Sequence, residues 1–455
     1  MSEESTAVEN TSAGLERQLG LLDCVLLSVG GMVGSAIFVF PGTTGRLTGP
    51  SAIVAWMGAG VLMTTIALCY TELSLAFPQA GGPAVFPYET LGPSRVVRAF
   101  ASYLEGVSYS VGWAFGITVS ALAIADYVGM IVPAASGHAV PIAVLGITLS
   151  FLVNALGVSV TSRINLVFAA LLLAILVVFA ALGLARADPA NYRPFVLDGP
   201  VQFLAAVQVA ITAYGAWTVI PASAEEIREP TRTIPRAIVA SLAVSTVLYG
   251  LVLAALHGQV APSAFVEGNP AVTAPLGVAA TALGVPLLRD VLLPFAALVA
   301  IFTTMLVGTM SAGRVLFALG RNGTLPGPFG AVSDRFQVPW VGLAAVSLLA
   351  GALATVPQYF FQLLVVSAIV GTGLPYAINL LSFVGLRYYR TDVDPGFRAP
   401  GGYALAGVAF VALGVAMIGL GLTNVLWSLG TVALLTGVFV VRYLRSPESI
   451  VAPAE

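Results

Sequence analysis

The sequence predicts an all-α integral membrane protein with twelve transmembrane helices. Of its 455 residues, 58% are hydrophobic and only 9% are charged, whereas an average soluble domain carries roughly 25% charged residues. The apolar residues form long runs, and the arginines gather near the ends of these runs. Because each crossing of a bilayer needs roughly 20 apolar residues, this composition excludes a disordered chain, a coiled coil and a nucleic-acid-binding protein.

The chain divides into twelve apolar segments, bounded by charges and by Pro/Gly clusters. In chain order they span residues 19–41, 51–77, 97–131, 139–157, 164–186, 201–224, 235–257, 287–320, 338–356, 361–389, 403–422 and 424–444. Residues 1–18 are polar and acidic and lack the basic start and cleavage site of a signal peptide. We therefore expect residues 1–18 and 445–455 to be tails outside the membrane.

The arginines predict which side of the membrane the termini occupy. All 19 basic residues are arginine, and alternate assignment of the loops places fifteen of them on the side of the termini. The four on the opposite side are Arg46, Arg186, Arg193 and Arg289. Because basic residues in short loops stay cytoplasmic, we expect a multi-pass protein of the plasma membrane with both termini in the cytoplasm.

Several kinds of chemistry lack the residues they require. The chain has no lysine, and Cys24 and Cys69 lie inside apolar runs with neither a disulfide framework nor metal-ligand spacing. A membrane-embedded enzyme would need a nucleophile and base or a metal cluster, and a channel would need a continuous polar lining or charged rings. We expect no enzymatic activity, no cofactor, no nucleic acid and no obligate protein partner, only the lipid bilayer and a small molecule.

Two of the twelve segments contain glycines that a helix serving only as a membrane anchor would not need. Segment one carries Gly30, Gly31 and Gly34, and segment six carries Gly215 beside Tyr214. Glycine weakens a helix by about 1 kcal/mol relative to alanine, and unwound backbone is tolerated in a membrane only where it faces a cavity or ligand. Close helix packing is the alternative explanation, but matching interruptions in two five-helix blocks are typical of a transporter's binding site.

Four motifs in order resemble those of the amino acid-polyamine-organocation transporter superfamily. The glycine-rich stretch 30–38 resembles that family's break in its first helix, and residues 70–83 resemble its run of Tyr-x-Glu-Leu followed by Pro-x-Ala-Gly-Gly. Residues 224–238 follow its Ala-Glu-Glu loop almost position by position, and residues 314–323 repeat a further hallmark at the end of segment eight. The resemblance extends over residues 20–400.

The resemblance implies a leucine-transporter-like fold, in which two five-helix repeats are inverted relative to each other. The repeats would be residues 19–186 and 201–389, the first and sixth helices would be discontinuous, and residues 403–444 would form two extra helices. A substrate would bind near the bilayer midplane between segments one, three, six, eight and ten.

A pair of broken helices offers one pole for each charge of an α-amino acid. The half-helix that restarts near Gly34 exposes N–H groups at a positive dipole end, which suits a carboxylate. By resemblance, Ser35 and the N–H of Ala36 take this role. Free carbonyls at a helix end suit an ammonium group, and by resemblance they are those of Met32, Thr212 and Gly215.

Selectivity would come from the rest of the cavity wall. The residues predicted to line it are Tyr214, Trp217, Gly112, Trp113, Gly116 and Gly308. Packing against lipid or at the membrane interface is the alternative for the aromatic residues. Thr218 stands where arginine-handling relatives carry a glutamate, which favours a neutral amino acid. An exchanger of polyamines or cationic amino acids is the second hypothesis, and a transport-derived amino acid sensor is the third.

The coupling ion is left open between sodium, a proton and exchange of substrates. Some relatives use a lysine on segment five, and residues 165–172 contain none. In sodium-driven proteins of this fold a cation lies between the first break and two hydroxyl groups on segment eight, which correspond here to Thr303 and Thr304 opposite the carbonyls of Gly30 and Val33. Hydroxyl and carbonyl oxygens suit a hard cation, while bonding of the threonines to their own helix is the alternative.

Acidic residues within the apolar segments are functional candidates. Glu105 could respond to protons or pair with Arg98 or Arg163, and we favour the pair. At the cytoplasmic ends of helices we expect a charge network that stabilises the inward-closed state. Its predicted members are Glu72, Glu225, Glu226, Arg228, Arg232 and Arg314.

Overall fold

The computed structural model describes residues 15–135, 137–266, 269–359, 366–417 and 422–445. In these ranges the regular structure is helical, with two isolated β-bridges, which confirms the all-α class. The predicted tails lie almost wholly outside the described residues, as do the start of segment ten at 361–365 and the end of segment eleven at 418–421.

The helices follow the apolar segments. The first seven are α1 Leu21–Val33, α2 Ser35–Thr48, α3 Ala52–Ala76, α4 Gly82–Thr90, α5 Arg95–Ile131, α6 Ala139–Ala155 and α7 Val158–Ala185. The next seven are α8 Pro200–Ala213, α9 Val219–Ala222, α10 Pro230–Gln259, α11 Pro270–Thr273, α12 Pro275–Leu283, α13 Leu293–Arg321 and α14 Trp340–Ala354. The last three are α15 Leu374–Tyr389, α16 Gly402–Met417 and α17 Leu422–Arg445.

Eight helical stretches of the described chain are long and apolar enough to cross a membrane. The first of them, Leu21–Ala76, joins α1, α2 and α3. Three further helices, α6, α14 and α16, are apolar but shorter. Each of the twelve predicted segments overlaps at least one of the helices. The lengths of the helices therefore support the membrane setting that the composition predicted.

Two of the errors in the predicted boundaries lie at prolines. Helix α2 runs through Pro41 to Thr48, and α10 begins at Pro230, five residues before the predicted start. The short helices α4 and α12 were not predicted, and both carry a proline in their first turn. A proline is tolerated there because the N–H groups of a first turn have no partner within the helix.

The two interrupted stretches lie side by side in the interior. Helix α1 packs against α7, α10 and α13, while α2 packs against α8. Helices α5 and α13 have the most extensive contact with each other and form the facing wall. This packing brings segments one, three, six and eight around a common centre.

One end of the molecule, here called the terminal end because residues 15–19 lie there, is closed by backbone hydrogen bonds. The N–H groups of Gln18 and Leu19 donate to the carbonyl of Glu226, each at 2.9 Å, and the N–H of Arg228 donates to the carbonyl of Leu19 at 2.9 Å. The N–H of Gly81 donates to the carbonyl of Ala222 at 2.7 Å. The chain after segment six is thereby joined to residues before segment one and after segment two.

Candidate substrate-binding site

Both glycine-containing segments are interrupted where the sequence predicts. Helix α1 ends at Val33 and α2 begins at Ser35, with Gly34 between them at φ −47° and ψ −127°. Helix α8 ends at Ala213, and after Tyr214 the chain forms a 3₁₀ turn at Gly215–Thr218 before α9. The backbone groups at these ends cannot all bond within their own helix.

Gly34 is required at the first interruption because α13 approaches its backbone closely. A Cβ atom at this position would lie 2.7 Å from the carbonyl oxygen of Ala300 and 3.0 Å from that of Gly30, and closer still to the Thr304 hydroxyl. Backbone oxygens cannot move away as a flexible side chain can. The interruption and the close helix contact therefore depend on the same missing side chain.

A cavity of about 80 Å³ lies between the two interruptions. Seven of the predicted substrate residues line it: Ser35, Ala36, Gly112, Trp113, Gly116, Thr212 and Gly215. Among the described residues that line the cavity, none carries a charge.

Hydroxyl groups of neighbouring helices occupy part of the predicted carboxylate pole. The N–H of Ser35 donates to the Thr304 hydroxyl at 2.9 Å, and the Ser120 hydroxyl donates to that of Ser35 at 3.2 Å. The expectation that the Ser35 N–H is free was therefore wrong. Ser35 and Ala36 still face the cavity at the first turn of α2.

Two of the three carbonyls predicted for the ammonium pole already accept hydrogen bonds. Met32 accepts from the Tyr249 hydroxyl of α10, and Gly215 accepts from the Thr218 hydroxyl at 2.8 Å. Thr212 lines the cavity. No local pattern indicated Tyr249, because it lies 217 residues from Met32 in an otherwise ordinary apolar segment.

Tyr214 and Trp217 do not line the cavity, contrary to the prediction, and are fully buried behind its wall. The Tyr214 hydroxyl donates to the carbonyl of Trp56 at 3.1 Å. The Trp217 ring stacks on Tyr376, with 5.9 Å between ring centroids, and meets Tyr70 edge-on at 4.9 Å. Of these aromatic residues only Tyr376 contacts the cavity. The alternative, packing against lipid or at the membrane interface, was also wrong, because both residues pack against the protein's own helices.

Gly308 also lies behind the wall, where it makes room for Trp113. A Cβ at Gly308 would lie 2.7 Å from Cζ3 of the Trp113 ring and closer still to Cε3. Gly112 makes a similar close contact with Gly371, whose backbone nitrogen would lie 2.8 Å from a Cβ at residue 112. Gly116 has space for a methyl group, with its nearest neighbour, the Ser367 hydroxyl, at 3.5 Å.

The threonine pair predicted for a cation lies directly against the first interruption. The Thr303 hydroxyl donates to the carbonyls of Gly30 at 3.0 Å and Ala300 at 2.8 Å. The Thr304 hydroxyl donates to Gly31 at 3.4 Å and Ala300 at 3.2 Å. We call these five oxygens the oxygen cluster. Val33, which was predicted to contribute a carbonyl, is the buried last residue of α1, and Gly31 contacts Thr304 instead. The bonds to Ala300 also match the alternative of bonding within one helix.

Glu105 is fully buried and its described partner is an amide, so the predicted pairing with an arginine was wrong. Its Oε1 accepts from the Asn379 side chain at 3.0 Å, and Oε2 has no partner among the described residues. The same amide nitrogen donates to the Tyr70 hydroxyl at 3.0 Å. Arg98 instead lies over the Tyr88 ring, at 5.7 Å from its centroid. Arg163 is exposed on α7.

At the terminal end, Glu226 and Arg314 form a buried ion pair as predicted. Both side chains are at most 2% exposed, and the contact is bidentate, with Nε of Arg314 on Oε1 and Nη2 on Oε2 at 2.8 Å. Arg314 also donates to the carbonyl of Met310 at 3.0 Å. A bidentate pair with an added hydrogen bond satisfies two charges that would otherwise be costly to bury.

The other two acids pair with arginines that the sequence analysis did not name. Glu225 binds Arg321 at 2.8 Å, and Glu72 accepts two hydrogen bonds from Arg387, at 2.9 and 2.7 Å. The predicted partners were wrong: Arg232 lies 3.9 Å from Glu229 on the surface. Arg228 is also exposed, and its side chain donates to the carbonyl of Arg17 at 3.4 Å. An arginine at the surface is hydrated, and an ion pair with a buried acid would not make up for the loss of that hydration.

Tyr109 on α5 lines the cavity and was missed by the sequence analysis, although its position in the sequence could have revealed it. The Tyr109 hydroxyl bonds to those of Thr218 at 2.8 Å and Ser311 at 2.5 Å, and its ring contacts the cavity. It lies one helical turn from both Glu105 and Trp113, so the i, i+4 spacing indicates a shared face. Lining residues without such a signal are Ser120, Ser367, Thr372 and Tyr376.

Comparison with known proteins identifies the family. The family model described as "Amino acid permease" matches residues 19–441. The chain belongs to the amino acid permease family. It is 27% identical to the branched-chain amino acid permease BcaP of Bacillus subtilis (strain 168), over 89% of this chain and 88% of that protein.

Two other relatives have different substrates in their names. The chain is 26% identical to the methylthioribose transporter of the same Bacillus strain, over 87% of each chain. It is 31% identical to the chloroplastic cationic amino acid transporter 9 of Arabidopsis thaliana, over 72% of this chain and 59% of that protein. The permease family consists of membrane transporters and not of enzymes, and several apolar helices of this chain fit that setting.

Proposed function

We propose that this permease is a secondary active transporter that carries a neutral amino acid across the plasma membrane by alternating access. The observation that supports this best is the cavity between the two helix interruptions, where α2 begins and α8 ends. Peptide dipoles bind a carboxylate and an ammonium group without any charged side chain. The cavity volume suits a substrate of few atoms.

The uncharged lining favours a neutral substrate. A cationic side chain in a membrane cavity needs an acid to neutralise it, and the described lining offers hydroxyl groups and apolar surface. Thr218 does not supply such a group, because its hydroxyl bonds to Tyr109 and to the carbonyl of Gly215. The branched-chain amino acid permease among the relatives agrees with this proposal. The cationic amino acid transporter keeps a cationic substrate as the second candidate.

The inverted repeat provides the framework for this mechanism. We propose that residues 19–186 and 201–389 form the two repeats, with the interruptions at Gly34 and Gly215 in corresponding helices. Twelve crossings, with residues 403–444 as the extra pair, would place both termini in the cytoplasm, in agreement with the arginine distribution.

The structure would then represent a state closed towards the cytoplasm. The Glu226–Arg314 pair and the backbone bonds of Leu19 seal the terminal end, while the cavity extends to Phe40 and Ala123, further along α2 and α5 and away from that end. Opening the terminal end would require these contacts to separate. We propose that the ion pairs there act as the inner gate.

For coupling, we propose that the oxygen cluster binds sodium. Its oxygens come from the first interruption and from α13, so a cation there would hold the two together. Three oxygens of the cluster converge within 3.0 Å of the place where a Gly34 side chain would begin. Hydroxyl and carbonyl oxygens are suitable ligands for a hard cation.

Uptake into proteoliposomes tests the substrate and the coupling together. Purified protein is reconstituted, and labelled leucine uptake is measured with unlabelled neutral amino acids, cationic amino acids, polyamines or methylthioribose as competitors. Each assay is run with sodium or choline outside, and with or without a pH gradient. Neutral amino acids should compete and sodium should stimulate uptake. Competition by cationic amino acids alone would instead identify the second candidate. Binding of an amino acid without uptake would identify a sensor.

A further inference from the structure

Tyr249 joins the two interrupted helices at their carbonyl ends. Its hydroxyl donates to the carbonyl of Met32, in the last turn of α1, and to the carbonyl of Ala213, the last residue of α8, at 3.1 Å. These oxygens belong to helix ends, where the carbonyls have no partner within their own helix. One side chain of α10 therefore connects the two interruptions.

The hydroxyl cannot satisfy both carbonyls fully, because it has one proton for two acceptors. Each helix end also carries a partial negative charge of the same sign. The Tyr249 proton is shared between these ends and offsets their repulsion, while unused lone pairs remain on both carbonyls. Such a group of oxygens accepts a further donor readily, and an ammonium group is a strong donor.

The ring of Tyr249 is held so that its hydroxyl stays between the two ends. Tyr249 is fully buried, and its ring meets Trp56 edge-on at 4.7 Å and Tyr214 edge-on at 5.1 Å between centroids. The Tyr214 hydroxyl bonds to the carbonyl of Trp56 and closes this aromatic group. Packed aromatic rings in defined edge-to-face contacts have little freedom to rotate.

One connected end borders the cavity, and the other lies one residue from its wall. Ala213 lines it, and so does Gly31, the neighbour of Met32. Tyr249 itself is not among the lining residues. A change in the hydroxyl would therefore reach a substrate only through the carbonyls that it positions.

We propose that Tyr249 is a positioning residue that fixes the carbonyl ends of α1 and α8 as one acceptor site for the ammonium group of the substrate. This inference rests on the proposed transport of amino acids. It assigns the ammonium pole to a bridge between both interruptions, with Met32 and Ala213 as its acceptors, and it makes recognition of the ammonium group depend on a hydroxyl that the substrate does not contact.

The test compares two substitutions that each remove one hydroxyl from the same aromatic group. Tyr249→Phe removes the bridge. Tyr214→Phe removes a neighbouring hydroxyl that bonds to the carbonyl of Trp56, so it serves as the matched control. Both variants are reconstituted beside the wild type. Inhibition of labelled leucine uptake is measured with leucine and with its 2-hydroxy acid analogue, which has the same carboxylate and side chain but no ammonium group.

We expect Tyr249→Phe to weaken inhibition by leucine about tenfold, equivalent to about 1.4 kcal/mol. Inhibition by the hydroxy acid should change less than about twofold, because that compound does not use the acceptor site. Tyr214→Phe should leave the ratio of the two inhibition constants as in the wild type. A loss that is equal for both compounds, or equal in both variants, would assign Tyr249 a purely structural role and overturn the inference.

Two further results separate the possible failures. If the wild type neither binds nor transports any amino acid, the proposed function fails and this inference fails with it. If Tyr249→Phe does not fold, as judged by its elution and thermal midpoint in detergent, 3-fluorotyrosine at position 249 keeps the ring and hydroxyl but makes the hydroxyl a stronger donor. The ratio of the two inhibition constants should then shift for position 249 and not for the same replacement at position 214. An unchanged ratio would refute the role.

Discussion

Replacing Gly308 with alanine should reduce the cavity, although Gly308 itself does not line it. The new methyl carbon would lie 2.7 Å from Cζ3 of Trp113 and closer still to Cε3, whereas ordinary contact begins at 3.4 Å. The Trp113 ring must therefore move by about 1 Å, because close-packed interiors have no spare volume to absorb the overlap. The α13 backbone bounds one side of the ring, so the movement is directed towards the cavity.

The effect should depend on the size of the substrate. In an apolar pocket, one methylene too many is worth about 1–3 kcal/mol, or roughly 10–200-fold. With only about 80 Å³ available, we expect the KM for leucine to rise at least about tenfold by this measure. The KM for alanine should change by less than about threefold, because its side chain is a single methyl group.

Gly146→Ala is the matched control for this experiment. A Cβ there would meet its nearest neighbours, Ile124 and Met305, at an ordinary 3.6 Å, and Gly146 does not line the cavity. Uptake of both amino acids is measured over a range of concentrations in proteoliposomes, together with the thermal midpoint of each variant. If Gly308→Ala changes the KM of leucine and alanine by the same factor, Trp113 is not the wall that limits substrate size.

Other contacts lead to three further predictions. Thr303→Ala and Thr304→Ala should each abolish the stimulation of uptake by sodium over choline, since each removes an oxygen of the cluster; an unaltered sodium response would reject the cation site. Arg314→Met should destabilise the protein by about 3–5 kcal/mol, because it leaves a buried carboxylate unpaired, and a thermal midpoint no lower than that of the exposed control Arg232→Met would contradict this. Glu105→Gln should be at least as stable as the wild type. The Glu105 Oε2 and the Asn379 Oδ1 both lack partners among the described residues, and an amide supplies a donor; a clear drop in the thermal midpoint would show that the carboxylate itself is needed.

The sequence predicted the site's backbone more reliably than its side chains. Gly34 and the Tyr214–Gly215 pair marked both interruptions, because loss of helix at glycine is a local property of the chain. Trp217 was predicted to line the cavity because it lies beside a helix interruption. Its ring instead packs against Tyr376 and Tyr70. The rotation of the helix decides which side chains face the cavity, and the residue pattern of segment six does not specify that rotation.

The charge network also contains contacts that the sequence predicted and contacts that it did not. The contact between Glu226 and Arg314 lies within the predicted charge network, whereas the arginine partners of Glu225 and Glu72 were not predicted. Several arginines are predicted at the same end of the molecule as these acids. Only the packing of α3, α13 and α15 determines which of them can be buried with an acid.

By itself, the sequence determined the membrane setting, the helical class and the two places where helices break, since composition, apolar length and glycine content act over short stretches of chain. The tertiary structure alone decided that Tyr249 bridges Met32 and Ala213, that Trp113 fits against Gly308, and that Glu105 meets an amide in place of an arginine. Each of these contacts joins residues on different helices, many of them hundreds of positions apart. Their partners are chosen by helix rotation and depth in the packed core, which no local pattern of residues specifies.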